Sequence, residues 1–166
     1  MKKVVLLLSS LLLATTLTAC GTESADQNST EVSAEEKAEQ PAVNWESSIK
    51  DLAATDQSET EKADAAEVLA RAYKPSSEEL KNFQTHIIEA FTSGEYLKDS
   101  TNAEYMLSNI FQSVVVERQA DEAQAMKKYA QDFYQNTKYV YRGAETPDSE
   151  SVKSNEEQMT NAINGK

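Results

Sequence analysis

The chain has 166 residues, 28 of them acidic and 16 basic, for a formal net charge of -12. That balance is poor chemistry for nucleic acid or anionic lipid headgroups, which select clusters of Lys and Arg. A single cysteine excludes an intrachain disulfide framework, and four glycines and three prolines beside abundant Ala, Glu, Lys, Gln and Leu favour helix.

Lys2 and Lys3 precede an apolar run from Val4 to Ala14 that Ser9 and Ser10 interrupt without adding charge. About ten apolar residues enter a bilayer as a short helix but are too few to remain as a span. The run therefore reads as the hydrophobic region of a signal peptide. Thr15 and Thr16 lead to Leu17, Thr18, Ala19, Cys20 and Gly21, with Cys20 the only cysteine. This arrangement resembles the signal peptide and lipobox of bacterial lipoproteins. The resemblance implies that signal peptidase II recognises residues 17–21 and cuts between Ala19 and Cys20, after the Cys20 thiol has taken a diacylglyceryl group. Residues 1–19 are then the signal peptide, and Cys20 is the lipidated first residue of the mature chain. Two acyl chains give stable anchoring where one gives only marginal binding. The alternative is an ordinary secretory signal with Cys20 near an Ala-x-Ala-like site. Loss of Lys2 and Lys3 with the signal leaves 14 basic against 28 acidic residues, a formal net charge of -14.

Residues 20–44 are dominated by Ser, Thr, Glu, Gln, Asn and Ala, with Val32 and Val43 the large apolar residues. Such a segment buries too little surface to offset its ordering entropy, so a disordered tether is expected. As a flexible coil it would span roughly 25 to 30 Å.

The folded domain is expected over 45–143. Val43, Trp45, Ile49, Leu52 and Ala53 form a short amphipathic patch that predicts a turn or two of helix with Trp45 docked on the domain. Ser58 and Glu61 have capping-box spacing, followed by Ala63, Ala66, Leu69, Ala70 and Tyr73 on one face and by Pro75 as a stop. Ser76 and Glu79 repeat the box, Leu80, Phe83, Ile87, Ala90 and Phe91 continue one stripe, and Gly94 ends it. Thr101 and Glu104 suggest a third box ahead of Ala103, Met106, Leu107, Ile110, Phe111 and Val114. The β-branched run Val114–Val116 leaves a strand open there, although the flanking periodicity favours helix. After a polar stretch the stripe resumes at Ala125, Met126, Tyr129, Ala130, Phe133 and Val140, displaced by roughly a quarter turn. With neither Gly nor Pro in the gap, one continuous or bent helix is favoured over two helices meeting near Asp121. Residues 144–166 are acidic and Ser- and Asn-rich, and a flexible tail is expected, with Met159 and Ile163 leaving room for a brief helix. The expected class is all-α: a small bundle of about three principal helices, the last long or bent, behind the tether.

Candidate sites are few. His86 is the only histidine and lies about 100° from the centre of its helix's apolar stripe; Glu89 and Asn82 share its side, but boundary packing is the simpler role. Tyr134, Tyr139 and Tyr141 sit in a tyrosine-rich stretch that suits either a recognition surface or the capped end of the bundle. The spacings of a calcium loop, an HExxH zinc site, a GxSxG turn and a phosphate-cradling glycine loop do not occur in the sequence. No catalytic residue, metal or cofactor is expected beyond the acyl lipid on Cys20.

The function these features suggest is a lipid-anchored extracytoplasmic module, held at the cell membrane, or at the outer membrane of a Gram-negative cell. It would bind an envelope protein or cell-wall component without catalysis. The alternatives are solute capture for a transporter, an envelope hydrolase, and an exclusion or immunity lipoprotein of a mobile element.

Overall fold

The structure, a computed structural model, describes residues 44–121 and 124–165. The signal peptide, the lipobox with Cys20, and the tether up to residue 43 lie outside the described residues. Six helices follow one another: α1 (Trp45–Ala53), α2 (Glu59–Ala72), α3 (Ser77–Thr92), α4 (Ala103–Gln119), α5 (Ala125–Tyr141) and α6 (Glu150–Ile163). The all-α class holds, while the expected count of about three principal helices gives way to six.

Local chemistry sets the starts. Ser58 Oγ accepts from the Glu61 amide at 3.4 Å while Glu61 Oε2 accepts from the Ser58 amide at 3.0 Å. Ser76 and Glu79 make the same reciprocal pair at 3.2 and 2.8 Å, so both boxes read from spacing are closed. The third is not. Asn102 caps α4 by accepting from the Tyr105 amide at 3.1 Å, whereas Thr101 donates to Asp99 at 2.8 Å. Asn is as good an N-cap as Thr, so the start moves by one residue. Gly94 takes φ of 74° just past α3 and provides the expected stop.

The centre of the bundle is α4, which packs against α1, α2, α3 and α5. Met106, Leu107, Ile110, Phe111 and Val114–Val116 are all buried. A helix covered on every side can be apolar all round. Burial therefore overrides the strand preference of the valines, and Val114–Val116 are helical. On α2 the small residues Ala63, Ala66 and Ala70 form the buried stripe, which lets that helix approach α4 closely.

The favoured continuous helix is replaced by two. Ala120 is extended (φ -78°, ψ 141°), and Gln124 folds back on Asp121 through both its backbone and its side-chain amide. The chain then returns as α5 along α4. A straight helix would leave the displaced second stripe without a partner; a helical hairpin buries Tyr129, Ala130 and Phe133 against the core.

The segment expected as a flexible tail contains α6. Ser149 caps it, and Val152 and Met159, two turns apart on one face, are buried on α5. Its acidic composition masks a two-point apolar stripe that polar contacts reinforce. Asn136 of α5, itself buried, donates from Nδ2 to the Val152 carbonyl and the Tyr96 hydroxyl, both at 3.1 Å, and accepts from Asn155 at 2.8 Å. Tyr96 in turn donates to Glu156 at 2.7 Å.

Candidate functional site

A cleft of about 680 Å³ opens where the start of α1 meets α3 and α4. Its walls are aromatic. Trp45 stacks on Phe111 with ring centres 5.0 Å apart and planes 8° from parallel, and meets Phe83 edge to face at 5.3 Å. Tyr73, in the extended link between α2 and α3, packs against Phe111 at 5.3 Å. Tyr73, extended at φ -72° and ψ 140° where α2 ends, stands at the rim.

Polar groups converge between these rings. His86 and Asn82 enter from α3, Gln112 from α4, and Asn44 and Glu46 from the start of α1. His86 Nε2 lies 2.9 Å from Asn109 Oδ1 on α4. An amide oxygen only accepts, so in this contact the imidazole donates from Nε2. Asn109 is fully buried, and its Nδ2 finds no hydrogen-bond partner among the described residues. Gln112, one turn further along the same face, is 6 % exposed and lines the cleft. Its side-chain amide too has no partner among the described residues. The orphaned Asn109 Nδ2 costs free energy inside the wall, whereas the Gln112 amide opens to the cleft with its hydrogen-bonding capacity free for a ligand.

The Tyr73 hydroxyl donates to Glu79 Oε1 at 2.6 Å. That bond, followed by those from the backbone and side chain of Ser76, holds the Glu79 carboxyl below its ordinary range. Burial, with the Glu79 hydrogen bond second, pushes the Tyr73 hydroxyl up to about 12. Glu79 is therefore an anion at neutral pH, and Tyr73 stays protonated. No lysine or arginine among the described residues lines the cleft.

The predicted tyrosines are not brought onto one exposed face. Tyr141 is 6 % exposed and belongs to the core, Tyr139 is 45 % exposed, and Tyr134 is half-buried in an ion cluster between α2 and α5. There the Tyr134 hydroxyl bonds Glu67, Lys138 Nζ lies 2.6 Å from Glu67 and 2.8 Å from Asp64, and Arg71 reaches Glu67 at 2.6 Å. Lys138 also stands 5.5 Å from the centre of the Tyr134 ring. The cluster joins two helices and leaves little of Tyr134 for a partner. The lipobox residues Leu17, Thr18, Ala19, Cys20 and Gly21 lie outside the described residues.

Sequence reasoning named His86 but passed over Asn109 and Gln112. The signal was available: two amides three residues apart, on one helical face, in the run from Met106 to Val116 whose other polar residues are Ser108 and Ser113. Among the described residues no three His, Cys, Asp or Glu side chains gather around a point that a metal ion would occupy. No described helix is long and apolar enough to cross a membrane. Compared with family models, with characterised proteins and with solved structures, the chain gives no significant match.

Proposed function

We propose that this chain is a lipid-anchored extracytoplasmic module of the bacterial envelope that binds a partner or envelope component through the cleft between α1, α3 and α4. The anchor rests on one observation: Leu17, Thr18, Ala19, Cys20 and Gly21 stand at the end of a charged and then apolar leader. Diacylation of Cys20 would hold the helical domain at the membrane surface, with 23 residues between Cys20 and Asn44 as the tether. The formal net charge of -14 after processing keeps such a domain soluble beside a surface of like sign. The cleft supports the binding half of the reading, because aromatic walls with a few converging polar groups are the usual construction of a ligand site.

Fractionation of cells making the native chain or Cys20→Ala tests the anchor. The native protein is expected in the membrane fraction at the mass of a chain cut before Cys20 and diacylated, and Cys20→Ala in unprocessed or released form. Membrane retention of Cys20→Ala at unchanged mass would overturn the assignment.

A further inference from the structure

We infer that the cleft between α1, α3 and α4 takes an uncharged saccharide, seated on Trp45 and hydrogen-bonded by Gln112 and Asn82; this rests on the cleft being the binding surface. The choice of ligand follows from what the site leaves unmet. Gln112 is more than nine-tenths buried, lines the cleft and brings an amide with both donor and acceptor capacity unused among the described residues. Asn82, exposed at the rim, brings a second amide to the same cleft. A ligand group that both donates and accepts satisfies such a set, and the hydroxyl is the simplest one. A quaternary ammonium ion accepts nothing and would leave the amide donors unpaired.

The charged groups exclude the opposite class. Glu46 and Glu79 border the cleft without any lining lysine or arginine among the described residues, so uronate, sialate or phosphorylated sugars meet repulsion. Carboxylates accept from neutral hydroxyls without that cost. Trp45 is half-buried at the cleft with one face of its indole covered by Phe111, and its remaining apolar surface is what the C–H groups of a sugar ring would pack against. A cleft of about 680 Å³ falls within the range of small-molecule sites.

Trp45 is the only tryptophan of the chain, so its emission reports this cleft directly. The full chain, purified in detergent micelles, is titrated with N,N′-diacetylchitobiose, cellobiose and maltose, and separately with glucuronate and tetramethylammonium chloride. A saturable change in Trp45 emission is expected with at least one of the three neutral sugars. It should weaken about tenfold in Gln112→Leu at unchanged helicity, and a few-fold in Asn82→Ala, an exposed position that decides the matter if Gln112→Leu fails to fold. No saturable change with any of the three up to about 50 mM, a response to tetramethylammonium or glucuronate alone, or sugar affinities equal in Asn82→Ala and the native chain would overturn the proposal. The readout is independent of the anchor: a chain without lipid would still titrate, and a lipidated chain that does not would leave the anchoring standing.

Discussion

Lys138 of α5 and Glu67 of α2 meet with Nζ and Oε2 2.6 Å apart, and the Tyr134 hydroxyl closes on the same carboxylate. The Lys138 side chain is 12 % exposed, so removing the carboxylate's principal cation leaves a partly buried anion. Lys138→Met should cost about 2 kcal/mol of unfolding free energy by urea denaturation. Lys138→Met combined with Glu67→Gln should cost less than the sum of the single changes, because the stranded charge is then gone.

The same carboxylate sets an acid limit. Burial works to raise the Glu67 pKa, but hydrogen bonds from Lys138, Tyr134 and Arg71 outweigh it and hold the group at about 2, against an ordinary 4.5. A carboxyl depressed by folding contributes stability that is complete above 4.5 and is lost as pH falls towards 2. Urea midpoints measured from pH 6 to pH 2 should fall through that window in the native chain and fall less steeply in Glu67→Gln.

Asp132 on α5 has the opposite sign. Burial, opposed by Lys128, raises its carboxyl from 3.8 to about 6. Folding then favours the protonated form, so its ionisation weakens the fold progressively as pH rises from 3.8 through about 6. Asp132→Asn should raise the melting temperature at pH 7 and have little effect at pH 4, as calorimetry at the two pH values would show.

Asn136 is the polar anchor of α6, with bonds to Tyr96, Val152 and Asn155. Asn136→Leu removes all three and leaves Tyr96 and the Val152 carbonyl short of a partner, a loss of about 2 to 3 kcal/mol. Hydrogen exchange should locate the effect. Amides of α6 should exchange faster than in the native chain, while those of α4, buried at the centre, keep their order of protection.

How much of this was legible in the sequence depends on what each segment packs against. The two Ser-x-x-Glu boxes, Pro75 and Gly94 are local signals, and the ends of α2 and α3 follow from them. The break at Ala120 has no such marker: it exists because the Tyr129 and Phe133 stripe needs the core, a long-range requirement that no window of sequence displays. Helix α6 is less legible for a related reason, since Val152 and Met159 are two isolated apolar residues in an acidic segment and the surface that buries them, with Asn136 bonding the Val152 carbonyl, lies on α5. The site behaves likewise. His86 is conspicuous as the only histidine, yet its meaning comes from Asn109 and Gln112, which the fold brings from a different helix.

Binding of an envelope-anchored domain through the α1, α3 and α4 cleft is checked by a photoreactive amino acid placed at Thr85 of the full chain and activated on intact cells. Thr85 is exposed on α3 next to His86 of the cleft wall, and Lys153, exposed on α6, serves as the control position. Crosslinks are expected from position 85 to an envelope glycan or glycosylated envelope component, absent from position 153 and lost when Cys20→Ala releases the protein from the membrane. Equal labelling from both positions, or crosslinks from position 85 to cytoplasmic proteins alone, would overturn this reading.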